Sequence, residues 1–171
     1  MLLILLTAAL CGLCILLELP KPLVLAALVM LALLACRALR ISHTDALTGL
    51  YNLRHLRSRR EAYRRRELAV WYFDLDHLKQ VNDTQGHGAG DRLLLDFAGA
   101  LRHCPHPGAE AYRIGGDEFL LILPGPIQEI EPPLASLEML PASWGCASGS
   151  GAELEVLIEL AEQRMYHSRS R

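Results

Sequence analysis

Arg113-Ile114-Gly115-Gly116-Asp117-Glu118-Phe119 decides the reading of this chain, because two glycines and then two carboxylates stand between apolar runs. Ala111 to Ile114 and Phe119 to Leu123 read as short β-strands. The Gly-Gly pair supplies the positive φ that a two-residue hairpin turn prefers. The two acids are therefore expected on rigid backbone at a hairpin tip. A second acidic pair, Asp74 and Asp76, ends the run Leu68 to Phe73, whose unbroken hydrophobicity fits a central strand buried on both faces. If these strands are neighbours, Asp74 and Asp117 converge. Hard carboxylates converging at strand ends suit Mg²⁺ held together with a nucleoside triphosphate, since that ion takes few protein oxygens and fills its other positions with phosphate and water. Taken alone, Asp74-x-Asp76 reads as well as a solvated turn.

Outward from the acids, Asn52 to Arg66 reads as a helix, Leu68 to Asp74 as a strand, and Arg92 to Leu101 as a helix with Leu94, Phe97, Ala98 and Leu101 on one face. Asn82 to Gly90 is rich in Gly, Asn and Asp and reads as a loop or helix junction. After the hairpin come a Pro-rich connection from Pro124 to Pro141, a strand from Ser143 to Ala147, and a last helix from Glu153 to about His167. Helices alternating with strands imply an α/β or α+β sandwich. Lys79, one turn past the strand end, can reach phosphates as a point charge, and the amides of His77 and Leu78 at the helix start suit an anion.

With 171 residues and 51% hydrophobic content, the chain holds one ordinary domain plus an apolar excess, which lies in the first forty residues. Residues 1–19 are almost wholly apolar, Pro20-Lys21-Pro22 interrupts, and residues 23–39 are apolar again. Both runs are near the short end of a membrane span, so residues 1–40 read as a transmembrane hairpin. No Lys or Arg precedes the first run and no small-x-small site follows it, which argues for retention over cleavage. Arg37, Arg40 and the basic run beyond, against Lys21 in the turn, place residues 41–171 in the cytoplasm, as the domain of a multi-pass inner-membrane protein. Cys11-x-x-Cys14 in an apolar helix reads as small packing residues. The net charge of −2 conceals a basic segment of Arg54, Arg57, Arg59, Arg60, Arg64, Arg65 and Arg66. Its position fits anionic headgroups or a solvated helix face. Nucleic acid is excluded as a partner, since no basic groove or aromatic stacking platform accompanies it.

Together, Asp45-Ala46-Leu47-Thr48-Gly49-Leu50-Tyr51-Asn52, Phe73 to Asp83, Gly86-His87-Gly88-Ala89-Gly90-Asp91 and Arg113 to Phe119 resemble the GGDEF family, the diguanylate cyclases. Ser143 to Ala147 and Ala161 to Arg169 are similar to the family's later strand and last helix. The resemblance covers Asp45 onward. It implies a palm-like antiparallel sheet shared with nucleotidyl cyclases, flanked by helices, and condensation of two GTP into cyclic di-GMP with Mg²⁺ or Mn²⁺ as cofactor. It assigns Asp74, the Leu75 carbonyl and Asp117 to the metal, Asp117 to the attacking hydroxyl, and added negative charge to Glu118. Asp76 is placed behind them. Asn82 and Asp91 match its guanine-reading pair: a carboxylate accepts from guanine N1 and N2, donors that adenine does not offer equivalently. Arg169 stands where the family has a phosphate-contacting Lys. Asp45 and Asn52 fall in its domain entrance, with an N-cap as the plainer role. His106 and Ala109 replace the Arg and Asp of its product-inhibition site, so no such site is expected. His87 reads as structural. The interval from Phe119 to Ser143 is short for the family and rich in proline, between 124 and 141 especially. The symmetric product implies a homodimer, each domain holding one GTP, with a protein partner or the helices carrying the signal. The alternative is a catalytically weak GGDEF-like module that binds GTP or a protein partner at the membrane.

Overall fold

The computed structural model describes Ala8, Gly12, residues 20–125 and residues 140–169, without the side chains of residues 39–42 and 169. The chain divides into two compact units, Met1–Ser42 and His43–Arg171. In the first, helix α1 (Lys21–His43) begins and contains a stretch, Lys21–Ala38, of mean hydropathy 1.9 with none of it buried. By length and composition this helix is able to cross a membrane. The other limb of the expected hairpin, residues 1–19, lies outside the described residues apart from Ala8 and Gly12.

The second unit is a five-stranded sheet between helical layers. Its elements are β1 (Tyr51–Asn52), α2 (Leu53–Tyr63), β2 (Glu67–Leu75), α3 (Leu78–Gln85), α4 (His87–Arg102), β3 (Glu110–Arg113), β4 (Glu118–Pro124), β5 (Ala142–Ser150), a 3₁₀ turn (Gly151–Glu153) and α5 (Leu154–Arg169). The strand order is β1-β3-β4-β2-β5. Four strands pair antiparallel as expected, but β1 runs parallel to β3, so the sheet is mixed. With only two residues, β1 is recruited by the β3 edge rather than by a pattern of its own.

β2 and β4 occupy the centre, which explains their continuous hydrophobicity: both faces need apolar cover. Trp71, Phe73 and Leu75 meet Leu94, Phe97 and Leu101 of α4 on one side. Val70 and Tyr72 meet Leu56 of α2 and Leu157, Ala161 and Met165 of α5 on the other. A Cβ at Gly145 of β5 would collide with the Ala161 carbonyl and the Met165 amide, so the glycine lets the α5 backbone lie directly on the strand. The segment expected as a loop or junction is a junction. α3 and α4 abut at Gly86, whose φ of 83° breaks the helical path, and α4 starts at His87, ahead of the Arg92 expected from periodicity. The proline-rich interval lies mostly outside the described residues, between 126 and 139.

The turn before β4 departs from expectation. Neither Gly115 nor Gly116 lies in the left-handed region. The connection is longer than a two-residue turn: the amides of Ile114 and Gly115 both donate to the Glu118 carbonyl, at 3.0 and 3.4 Å. Glycine is needed at 115 for space, because a Cβ there would strike the Glu118 side chain.

Candidate active site

Strand register assembles the site. Asp74 is the cross-strand partner of Glu118 on one side and of Ser143 on the other. Side chains alternate along a strand, so Asp74 and Glu118 share the face of Tyr72 and Leu120. The Tyr72 hydroxyl donates to Glu118 Oε1 at 2.7 Å, and burial together with that carboxylate pushes the tyrosine's pKa up. Asp117 comes to the same strand end through the backbone: the Leu75 amide donates to its carbonyl at 3.0 Å. Register thus sets Asp74 against Glu118, while Asp117 lines a cavity of about 470 Å³ with Leu75, His77, Leu78, Lys79, Gln80 and Asp83.

The first turn of α3 forms another part of that wall. His77 is its N-cap, held at φ 62°, and its side chain makes no capping bond. Helix geometry leaves the first amides of α3 without intrahelical partners, and here they open beside Lys79 and the cavity. A triphosphate suits that combination of amides and ammonium. Asn82 lies one turn further along α3. A Cβ at Gly90 would collide with the Asn82 side-chain amide, so Gly90 permits α4 to seat against it and brings Asp91, which is exposed, next in the chain. Arg169 ends α5, and its side chain is outside the described residues.

Behind the acids stands a supporting set of which sequence reasoning had placed Asp76 alone. Phe97 is fully buried and packs edge-on against Phe73 and Phe119, with ring centroids 5.5 and 4.9 Å away. Since these phenylalanines adjoin Asp74 and Glu118, one α4 side chain pins both strand ends. The Ser143 hydroxyl donates to both Asp76 oxygens, at 2.9 and 3.1 Å, and the Asp76 amide donates to the Pro141 carbonyl at 2.9 Å. Asp76 therefore ties the end of β2 to β5.

Arg113 joins the glycine turn to the domain entrance. Its Nη2 donates to the Gly116 carbonyl at 2.6 Å and its Nη1 to Asp45 Oδ1 at 3.0 Å. Asp45 also accepts from the Thr48 amide and hydroxyl, at 2.8 and 2.7 Å. Burial raises the Asp45 pKa, but the bonds from Thr48 and Arg113 outweigh it and hold the carboxyl below its ordinary value. Asp45 is not an N-cap. Asn52 is: its Oδ1 accepts from the His55 amide at 3.0 Å at the start of α2. The signal for Arg113 was its charge at the mouth of an acidic turn; Asp45 was marked by the resemblance alone, and nothing in the sequence paired the two across 68 residues.

Among the described residues no three or more His, Cys, Asp or Glu side chains form a protein-only metal cage. Mg²⁺ bound with a triphosphate needs only one or two carboxylates. Asp74, the Leu75 carbonyl and Asp117 at one strand end are oxygen donors of that kind.

The fold and site together define a GGDEF domain. The chain belongs to the GGDEF family: the family model described as "Diguanylate cyclase, GGDEF domain" matches residues 42–171. Diguanylate cyclase DgcN of Escherichia coli is 34% identical over 160 residues, which cover 77% of this chain and 38% of DgcN. The chain thus spans well under half of that relative. Among solved structures, diguanylate cyclase SiaD of Pseudomonas aeruginosa, in complex with its activator SiaC, is similar with TM-score 0.67 and 28% identity, over 85% of this chain and 65% of that one. The coiled coil and GGDEF domain of DgcB from Caulobacter crescentus, in complex with c-di-GMP, gives TM-score 0.70 over 85% and 90% of the chains; at 24% identity this is a likeness of fold.

Proposed function

We propose that this chain is a membrane-anchored diguanylate cyclase that joins two GTP molecules into cyclic di-GMP as a homodimer. In each half-reaction a ribose 3′-hydroxyl gives up its proton to solvent as its oxygen bonds to the α-phosphorus of the other GTP, the bond from that phosphorus to the β-phosphate oxygen breaks, and pyrophosphate leaves with the electron pair. The observation that carries this reading is the β2–β4 register, which sets Asp74 against Glu118 and bonds Leu75 to Asp117 beside the open N-terminus of α3. Mg²⁺ or Mn²⁺, held by Asp74, the Leu75 carbonyl and Asp117, supplies neutralisation of phosphate charge and a lowered hydroxyl pKa. Asp117 orients the hydroxyl, Glu118 adds negative charge braced by Tyr72, and Lys79 with the amides of His77 and Leu78 binds phosphate. Arg169 completes the phosphate contacts. Asn82 and Asp91 read guanine and disfavour ATP.

One bound GTP per domain requires two domains facing one another across a two-fold axis. The apolar N-terminal region holds partners in the inner membrane with the domain in the cytoplasm, and a protein partner or the helices supply the signal. His106 and Ala109 are both half-buried, and these positions lack the guanidinium and carboxylate needed to recognise the product there. The test is purified full-length protein in nanodiscs with Mg²⁺ and GTP, with product identified by mass spectrometry. Cyclic di-GMP is expected from the wild type and none from Asp117→Ala, whose circular dichroism stays unchanged. Equal product from that variant, or none from the wild type with either metal, replaces the cyclase with a GTP-binding regulatory module.

A further inference from the structure

We propose that the arginine-rich outer surface of α2 and the turn after it is a docking face for anionic lipid headgroups, which lays the catalytic domain against the bilayer. This rests on the membrane anchoring proposed above. Arg54, Arg57, Arg60, Arg64, Arg65 and Arg66 are all exposed, whereas Leu56 and Tyr63 point into the core and Arg59 turns inward to Glu110 at 2.6 Å. The positive charge is thus sorted to the surface away from the sheet.

A solvated helix ordinarily intersperses acids three or four residues from its bases. Between Leu53 and Arg66 Glu61 is the sole acid, and its approach to Arg64 is a loose 3.8 Å. Arg60 has one partner outside the segment, Glu155, at 2.7 Å. Arg57, Arg64 and Arg65 are exposed like charges close together in a chain whose net charge is −2. That crowding is unfavourable in water and favourable against a sheet of phosphates, which guanidinium groups bind in bidentate fashion.

The occupant follows from the chain's connectivity. The apolar stretch ends at Ala38, and His43 follows within five residues, at most about 18 Å of chain even when extended. His43 then lies against the first turn of α2, its Nδ1 3.3 Å from that of His55, and Thr44 bridges to Tyr51. Arg54 flanks His55 directly in the chain. The basic surface is therefore tethered within reach of the headgroup layer, where each such residue contributes roughly a fivefold gain in affinity for an anionic leaflet.

Trp71 and Trp144 are the chain's two tryptophans, and both lie in the domain, so energy transfer from them to a dansyl-headgroup lipid reads the distance from domain to bilayer. Full-length protein is placed in nanodiscs of phosphatidylcholine, with or without phosphatidylglycerol. Transfer is expected to be higher with phosphatidylglycerol, to fall on adding salt, and to lose both responses in R54Q/R57Q/R64Q/R65Q. Equal transfer in the two lipids, or a wild-type signal indifferent to salt, overturns the docking face whether or not the variant folds. A folded variant, checked by circular dichroism, that responds like wild type also overturns it. Anchoring is read separately by carbonate extraction. If carbonate strips the chain, anchoring fails, and the extracted protein is mixed with phosphatidylglycerol vesicles. Salt-sensitive transfer that the variant lacks then sustains the docking face, and none overturns it.

Discussion

Replacing Arg113 with alanine removes one side chain and disconnects two segments. Its Nη1 ends 3.0 Å from Asp45, and its Nη2 and Nε end 2.6 and 3.2 Å from the Gly116 carbonyl. The Arg113 and Asp45 side chains are 13% and 25% exposed, so solvent screens the pair only partly. A charge-assisted hydrogen bond contributes about 1.5–3 kcal/mol, and Asp45 keeps its Thr48 bonds, so the expected loss is about 2–3 kcal/mol. The variant also loses pH dependence. Because Asp45 titrates below its ordinary 3.8 when folded, its contribution is full above that value and disappears as pH falls through the lower folded one. Part of that acid-limb slope belongs to Arg113 and should vanish with it. Urea unfolding followed by tryptophan fluorescence at neutral and acid pH measures both effects, and an Asp45→Asn partner closes a double-mutant cycle. Activity should fall further than stability explains, because the Gly116 carbonyl adjoins Asp117. A loss under about 0.5 kcal/mol, with the acid limb unchanged, refutes the coupling.

Phe97→Ala opens a cavity beneath Phe73 and Phe119 and should cost about 3–5 kcal/mol in denaturant unfolding, with turnover reduced at temperatures where the domain is still folded. Gly90→Ala should displace Asn82 and raise KM for GTP with a smaller change in kcat, as steady-state kinetics would show. Glu110→Ala removes the acceptor shared by Arg59, Tyr63 and Tyr112, and an unfolding loss of roughly 2 kcal/mol is expected after allowing for the one-third exposure of Arg59. Burial raises the Glu110 pKa, but the bonds from Arg59 and the tyrosines hold it below the ordinary 4.5, so wild-type stability should drop as pH falls through the lower folded value and the variant should lack that drop.

Much of the fold is legible because burial writes itself into composition. The run Leu68 to Phe73 reads as a doubly buried strand, and β2 is one, between α4 on one face and α2 with α5 on the other. Elements decided by tertiary contact are not legible. The glycines from 86 to 90 lower helix propensity enough to hide the start of α4, yet the helix forms there because Gly90 must seat against Asn82. β1 has too few residues for any period and exists through its pairing with Tyr112 and Arg113.

The candidate site divides along the same line. Its acids stand out because a carboxylate at the end of an apolar strand is costly to place without a purpose. Their supports look ordinary: Phe97 reads as core, Tyr72 as one more large residue in a buried strand, and Ser143 as a strand start. What makes them matter is position in three dimensions, since Phe97 touches the chain neighbours of Asp74 and Glu118, Tyr72 braces Glu118, and Ser143 holds Asp76. Each contact joins elements distant in sequence, and a single chain carries no record of such distances. The consequence for mechanism is that alignment of Asp74, Asp117 and Glu118 depends on packing between β2, β4, β5 and α4. Changes at Phe97 or Arg113, which need not touch the nucleotide, should therefore alter turnover through the position of the acids rather than through their chemistry.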